Sequence, residues 1–396
     1  MHPRPPDVEN HHRSLSGMAQ IIGPHVAGSE MLAASQQRLV SLDALRGFDM
    51  FWIIGAESLV KGLRRISDAG PIKFVADQLE HKPWAGFHFE DLIFPLFIFI
   101  VGISAVFSLT KTIQQAGQRE ALKRVFRRTL LLYLLGVFYY GGLAASFEGI
   151  RLLGVLQRIA LCYFFAALLL CYLQPGHLVA VCVGLLLGYW VLMTFVPVPG
   201  AGRANFAEGK NLANYLDSRY LPLRKYDGDH DPEGLLSTLP AIATCLLGVF
   251  AGRLLANGCL SSQRKVVYLA AAGVIGVALG WLWGLQFPVI KKIWTSSFVL
   301  VAGGYSALLL AFFYQVVDIW KYRQWAQPFV WIGMNPITIY LVYHFADFDE
   351  LAKLVVGGPV RQALGAWGDM AMAVVVVGLM LLFLRFLYQR KIFLRL

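Results

Sequence analysis

Long, uninterrupted apolar runs dominate the sequence and limit what the chain can fold into. Of 396 residues, 57% are hydrophobic and only 15% are charged, whereas about a quarter of the residues of a soluble domain are charged. An apolar run of roughly 20 residues crosses a hydrocarbon layer about 30 Å thick as a helix. A membrane β-barrel would instead alternate polar and apolar residues in pieces of about ten. The sequence therefore predicts an all-α, polytopic integral membrane protein.

About ten transmembrane helices are expected from these runs. The predicted spans are Leu42–Val60, Asp91–Leu109, Thr129–Ala145, Leu152–Leu173, Leu178–Val196, Leu236–Leu255, Val266–Gly284, Ile293–Val317, Phe329–Ala346 and Met370–Tyr388. Together they predict one transmembrane domain over residues 38–396. The polar residues 1–37 contain no apolar core of signal-peptide length and are predicted to form a disordered cytoplasmic tail.

Basic residues indicate how the chain is oriented. The densest basic segment between spans covers residues 111–128, and cytoplasmic loops carry an excess of Lys and Arg. Alternating crossings then place both termini in the cytoplasm and the loops 61–90, 197–235 and 347–369 outside, although the loop 61–90 is itself basic. The net charge of +11 fits such topology signals beside membrane lipid, so no nucleic-acid partner is expected. The predicted location is a bacterial inner (plasma) membrane.

Two patterns associated with metals and disulfides are incomplete. The five cysteines lie in or at the end of apolar stretches and show no CxxC spacing. Asp227, Asp229 and Asp231 resemble the start of a calcium loop, but Pro232 stands where glycine is needed and Thr238 where glutamate is needed. No metal site is therefore expected. An acidic loop facing outward would still attract a cationic substrate such as an amino sugar.

Ionisable side chains within spans are costly, at roughly 2.5–3.5 kcal/mol each, and mark candidate functional positions. In the first span, Asp43, Arg46 and Asp49 lie on roughly one helical face. They form either a structural ion-pair network or a functional site. The fourth span carries Gln157 and Arg158 about one turn inside. An arginine there either extends to the interface or binds an anion such as phosphate.

Two prolines interrupt predicted spans. Pro95 cannot donate a hydrogen bond to the carbonyl of Asp91, so a kink is expected there. Pro336 follows Asn335 in the ninth span, where polar side chains either satisfy freed backbone groups or line a cavity. His344, near the end of the same span, is expected at the far interface or beside a cavity, because a histidine facing lipid is unfavourable.

The segment HKPWAGFHFEDLIFP, residues 81–95, places titratable groups at the start of the second span. His81 precedes Asp91 by ten residues, and Trp84 and Gly86 permit a turn that folds the loop over the helix end. A carboxylate beside an imidazole fixes its tautomer and makes it a general base near neutral pH. The alternatives are a solvated loop histidine or a role for His88, which lies nearer the span.

Six stretches resemble, in the same order, the heparan-α-glucosaminide N-acetyltransferase family of transmembrane acetyltransferases. They are RLVSLDALRG (38–47), HKPWAGFHFEDLIFPLFIFIVG (81–102), GVLQRIALCYF (154–164), DPEGLLSTLPAI (231–242), KKIWTSSFVL (291–300) and WIGMNPITIYLVYH (331–344). The six stretches leave no counterpart of the large lumenal domain of the animal enzyme. The resemblance therefore indicates a compact bacterial-type member. It implies acetyl transfer from cytosolic acetyl-CoA to the amine of a glucosamine across the membrane, and it also implies a homodimer.

The resemblance also implies roles for particular residues. The family's catalytic histidine lies in an H-x-x-W-x-G motif that matches His81 and Trp84, and its aspartate at the start of the next span matches Asp91. Ala85 stands where the animal member has Asn, which leaves the acceptor sugar open.

Other motif positions match residues elsewhere in the chain. Gln157 and Arg158 match an element at the CoA end, while Asn335 and His344, with Trp84, are implied to bind the sugar substrate. Acetyl-CoA is the expected co-substrate.

We therefore predict that His81, held by Asp91, acts as a general base for attack of the amine on acetyl-CoA. A covalent acetyl-histidine intermediate is the alternative mechanism. A membrane transporter of amino sugars is the alternative function, because charges inside the membrane would also line a transport path. A structural membrane subunit is a third alternative.

Overall fold

A computed structural model describes residues 39–67, 69–141 and 146–394 of the chain. The predicted tail over residues 1–37 lies outside the described residues. The described part folds into helices and contains no β-strand, only the isolated bridges between Ala85 and Ile290 and between Val198 and Gly202. The all-α, polytopic fold is confirmed.

The described residues form fourteen α-helices. In chain order they are α1 (Val40–Ile66), α2 (Gly70–Gln78), α3 (Phe89–Tyr139), α4 (Val155–Tyr172), α5 (Pro175–Phe195), α6 (Leu212–Tyr220), α7 (Thr238–Ala256), α8 (Ser262–Trp283), α9 (Ser296–Phe313), α10 (Gln327–Met334), α11 (Pro336–Phe345), α12 (Phe348–Val356), α13 (Pro359–Leu364) and α14 (Gly368–Gln389). Helix α9 continues as a π-helical segment over Tyr314–Ile319.

Seven helices in the described residues are long and apolar enough to cross a membrane. One of them, α3, has 51 residues and covers the second predicted span and most of the third. Two further predicted spans, the first and the ninth, correspond to helices that are not among these seven. Helix α1 has charged side chains spread along it, and the predicted span Phe329–Ala346 divides into α10 and α11, which meet at Asn335.

Helix α3 corrects one detail of the predictions. The basic segment over residues 111–128 is helical, not a loop. The backbone leaves helical geometry at Gly117, with φ of 84° and ψ of 167°, whereas Pro95 lies inside the helix and a kink there remains a prediction. Glycine adopts this positive φ without the steric cost that a side chain would bring.

Small residues bring several helices into backbone contact. A Cβ atom on Gly102 of α3 would lie 2.0 Å from the carbonyl oxygen of Cys245 in α7, and one on Gly248 of α7 would lie 1.9 Å from that of Phe99. Without a hydrophobic driving force between helices in lipid, such close approach supplies the packing energy. The crossing of α3 and α7 therefore depends on glycine on both sides.

Candidate active site

Asp91 lies in the first turn of α3 and is fully buried. Its Oδ2 atom accepts hydrogen bonds from the backbone N–H groups of His88, at 2.9 Å, and Lys82, at 3.2 Å. A carboxylate in the first turn is also stabilised by the positive end of the helix dipole. The local fold thus fixes the orientation of this carboxylate.

His81 contacts the same carboxylate from the loop before α3. Its Nδ1 atom lies 3.2 Å from Asp91 Oδ1, while 58% of the histidine side chain is exposed. Gly86, with φ of 121°, allows the loop to turn, and its N–H donates to the carbonyl of Val289 at 2.8 Å. The structure therefore brings together the imidazole and the carboxylate that are ten residues apart in the sequence.

Lys291 completes this cluster. It begins the stretch KKIWTSSFVL that resembles the family, but no role is predicted for it from the sequence. Its Nζ atom lies 3.0 Å from His81 Nδ1, 3.2 Å from His81 Nε2 and 3.7 Å from Asp91 Oδ1. Burial lowers the pKa of His81, the hydrogen bond to Asp91 opposes this shift, and the positive charge of Lys291 adds to it. A lowered pKa keeps the imidazole neutral, the state that a general base requires.

His88 lies in a different environment. Its Nδ1 atom is 2.9 Å from the carbonyl oxygen of Glu80, and the residue caps the N-terminus of α3. His88 is not among the residues that line the cavity beside His81. Of the two histidines in this segment, only His81 contacts Asp91 through its ring.

The cluster opens into a cavity of about 380 Å³, here called the histidine cavity. Its wall combines apolar, aromatic and charged side chains, namely Ile53, His81, Lys82, Glu90, Ile93, Phe94, Tyr140, Arg151, Val155, Tyr226, Pro232, Glu233, Lys291, Lys292, Trp294 and Tyr340. Apolar walls with a few convergent polar groups are typical of small-molecule sites.

A second cavity of about 320 Å³, here called the arginine cavity, is lined by Arg46 and Arg128 together with mostly apolar side chains. Arg46 donates to Ser104 Oγ at 2.8 Å, and the guanidinium of Arg128 lies 4.7 Å from the ring centre of Tyr163. The two cavities adjoin, because four residues line both of them: Ile53, Phe94, Val155 and Tyr340.

Arg158 and Gln157, expected at a CoA site, are fully buried in α4. The Arg158 guanidinium donates to Ser237 Oγ and to the carbonyl of Gly234, and it lies 5.0 Å from the ring centre of Trp294. Gln157 donates to the carbonyl of Arg151 at 3.2 Å. Neither side chain lines the two cavities described above. Their cofactor-binding role remains a prediction, and the arginines that line the two cavities are Arg46, Arg128 and Arg151.

The three residues expected to bind the sugar also lie outside the lining of the histidine cavity. Trp84 donates to the carbonyl of Phe206 at 2.8 Å and so anchors the loop that carries His81. The buried Asn335 donates to the carbonyl of Ile392 at 3.1 Å. His344 is exposed and stacks on Tyr139, at 3.9 Å between ring centres. These positions favour structural roles, and substrate binding by them remains a prediction.

Most acidic side chains of the loop 197–235 already have basic partners. Arg151 forms ion pairs with Asp231, at 2.6 Å, and with Glu233. These hydrogen bonds and charges outweigh burial and raise the pKa of Arg151. The loop therefore has little uncompensated negative charge with which to attract a cationic substrate.

A second group in this loop has the geometry of a candidate metal site. Glu208, Asp227 and His230 bring their ligand atoms within 4.8 Å of one another. The Nζ atom of Lys292, however, lies 2.7 Å from Glu208 and 3.2 Å from Asp227. The ammonium group thus already pairs with both carboxylates, and we assign no metal to the group.

Comparison with known proteins gives consistent matches. The profile of the family described as "Heparan-alpha-glucosaminide N-acetyltransferase, catalytic" matches residues 38–280, more than half of the chain. The human heparan-alpha-glucosaminide N-acetyltransferase is 28% identical over 368 residues, covering 78% of this chain and 53% of the human protein. The mouse protein of the same name is 27% identical over 322 residues, covering 66% of this chain and 48% of the mouse protein. The chain thus spans about half the length of the curated relatives it matches.

Proposed function

The chain belongs to the heparan-alpha-glucosaminide N-acetyltransferase catalytic family, and from this membership we propose that it transfers acetyl from acetyl-CoA to the amine of a glucosamine-type amino sugar. The observation that carries the proposal is the contact of His81 with Asp91, at 3.2 Å, on the wall of the histidine cavity. A neutral imidazole held by a buried carboxylate is suited to general-base catalysis.

His81 is proposed to act during attack on the thioester. With Nδ1–H donating to Asp91, Nε2 carries the lone pair that would accept a proton from the attacking nitrogen, in place of its present contact with Lys291 Nζ at 3.2 Å. The amine nitrogen forms a bond to the acetyl carbon, and the carbon–sulfur bond breaks. The imidazolium then returns its proton to the departing thiolate of CoA. Asp91 stabilises the imidazolium and fixes its orientation.

Acetyl-CoA is proposed to reach His81 through the arginine cavity. The phosphates of CoA require cationic partners, and arginine binds phosphate through several donors at once. Arg128 lines this cavity and belongs to the basic segment that is predicted to face the cytoplasm. The sugar would then enter the histidine cavity from the opposite, periplasmic side.

The orientation with both termini in the cytoplasm, the bacterial inner membrane and the homodimer belong to the same proposal. The orientation rests on the positive-inside rule. The homodimer rests on the resemblance to the family alone.

The purified protein should be incubated with acetyl-CoA and a panel of amino sugars, and the products analysed by mass spectrometry. We expect a mass increase of one acetyl group on the sugar nitrogen. Uptake of labelled amino sugar into vesicles that lack acetyl-CoA, with no acetylated product, would instead indicate the transporter.

Replacement of His81 tests the residue assignment. Because a general base contributes typically 10²–10⁴-fold to the rate, His81→Ala should lower kcat by a factor in this range. His88→Ala is the matched control, because the ring of His88 contacts the backbone carbonyl of Glu80 and not the carboxylate of Asp91. Wild-type turnover by His81→Ala would refute the assignment. Intersecting double-reciprocal lines would support direct transfer, and parallel lines an acetyl-histidine intermediate.

A further inference from the structure

Glu90 is a carboxylate in the histidine cavity that the proposed mechanism does not use. It lies in the first turn of α3, next to Asp91, and lines the same cavity as His81 and Lys291. Its Oε2 atom is buried and has no hydrogen-bond partner among the described residues. An unpaired, buried carboxylate oxygen is costly, and each such group in a native structure calls for an explanation.

Asp49 of α1 is a second buried carboxylate in this region. It is fully buried, and neither of its oxygens has a hydrogen-bond partner in the described part of the chain. The helices α1 and α3 touch at this level, since the rings of Trp52 and Phe89 are 5.2 Å apart between centres. Asp49 lies within electrostatic range of Glu90. Lys291 and Asp91 also act electrostatically on Glu90.

Two carboxylates within electrostatic range of each other in an apolar environment favour a bound cation or a shared proton, because two negative charges repel each other there. Lys291 compensates only part of this charge, since it also contacts Asp91 at 3.7 Å. The cavity that Glu90 and His81 both line therefore suits a cationic group.

The chemistry of the proposed reaction requires such a position. The amine of a glucosamine-type sugar is largely protonated at neutral pH, and an ammonium nitrogen has no lone pair for attack. The nitrogen must therefore lose two protons, one before it attacks the thioester and one during the attack. His81 accounts for the second proton only, because that proton passes on to the thiolate of CoA.

We propose that Glu90 binds the ammonium group of the acceptor sugar and removes its first proton. This inference rests on the proposed function and specifies the acceptor as a protonated primary amine. The N–H bond of the ammonium breaks, an O–H bond forms on the Glu90 carboxylate, and the free amine attacks the acetyl carbon. Glu90 then releases its proton to water, so that each turnover yields one proton, one molecule of CoA and one acetamide.

The test compares two acceptors in the full-length protein. Glucosamine is protonated at pH 7, whereas an aminooxy sugar of similar shape is neutral there and needs no first deprotonation. Glu90→Gln should lower kcat/KM for glucosamine by about 10²-fold or more, the scale of a lost proton-transfer group. It should lower kcat/KM for the aminooxy sugar less than about threefold.

Two further variants control for structural effects. Glu90→Asp retains the charge and should retain the wild-type ratio of the two kcat/KM values. Glu80→Gln changes an exposed carboxylate that pairs with Arg64 outside the cavity, and it should leave the ratio of the two kcat/KM values unchanged.

The outcomes separate this inference from the proposed function. An equal loss on both acceptors in Glu90→Gln, or no loss on either, would overturn the role of Glu90 while acetyl transfer by the wild-type protein stands. Absence of acetyl transfer by the wild-type protein to any amine would overturn the proposed function and this inference with it.

Discussion

Replacement of Lys291 by methionine should shift the pH dependence of catalysis. The Nζ atom of Lys291 lies 3.0 Å from His81 Nδ1, and 58% of the histidine side chain is exposed, so the dielectric of water gives the lower limit of their interaction, although burial of the rest of the ring lowers its pKa. Coulomb's law then gives about 1.4 kcal/mol of repulsion between the ammonium and a protonated imidazole. This energy corresponds to about a tenfold change in the protonation equilibrium.

The sign of the effect follows from the state that catalysis requires. His81 is competent as a base only when neutral, and its pKa is lowered in the folded protein by burial and by Lys291. In Lys291→Met the pKa of His81 rises, so that the imidazole becomes protonated at a higher pH. The acidic limb of kcat/KM against pH should therefore move up by about one pH unit.

The assay is acetyl transfer to an amino sugar, measured between pH 4.5 and 9 in the full-length protein. Lys292→Met is the matched control, because Lys292 contacts Glu208 and Asp227 and not His81. Its acidic limb should keep the wild-type position, whatever its effect on the rate. An acidic limb in Lys291→Met that coincides with that of the wild type would refute the electrostatic coupling of Lys291 to His81.

Two other predictions concern packing and the co-substrate. Gly102→Ala should destabilise the protein by about 1–3 kcal/mol, because its Cβ would lie 2.0 Å from a backbone oxygen of α7. Thermal unfolding in detergent measures this, and Gly184→Ala, with no atom within 4 Å of its Cβ, should unfold as the wild type does. Arg128→Gln should raise the KM for acetyl-CoA about tenfold, from the loss of a charged hydrogen bond of about 1.5 kcal/mol. An unchanged KM for acetyl-CoA in Arg128→Gln, or an equal rise in Arg119→Gln, which changes an exposed arginine, would contradict the role of Arg128.

The fold was largely predictable because it depends on composition over long stretches. The apolar runs fold into helices, since backbone polar groups within lipid must be satisfied inside the segment, although two runs share α3 and one divides into α10 and α11. The basic segment at residues 111–128 was wrongly predicted as a loop. Its charged residues signal exposure to water, but Lys, Arg, Gln and Glu are also good helix formers. Composition alone therefore does not distinguish a polar loop from a helix that extends out of the membrane.

The site was predictable where its residues lie close in sequence. His81 and Asp91 are joined by a short loop that contains Trp84 and Gly86, so a contact between them follows from local geometry. Lys291 lies 210 residues away from His81 along the chain. It meets the histidine because the backbone of Gly86 pairs with that of Val289. Lysines between two spans are an ordinary topology signal in a membrane protein. Only the fold shows that Lys291 contacts the imidazole.

The residues at the junction of the two cavities bear on why the proposed path from the arginine cavity to His81 would support acetyl transfer and not transport of a whole molecule. Three of the four shared lining residues, Ile53, Phe94 and Val155, are apolar, and the fourth is Tyr340. Phosphate groups lose their hydration at an apolar junction without gaining a charged partner, and this is costly. A thioester arm crosses such a junction at much lower cost. The walls would therefore hold the nucleotide of acetyl-CoA beside Arg128, admit the acetyl group to His81 and leave the sugar on the other side.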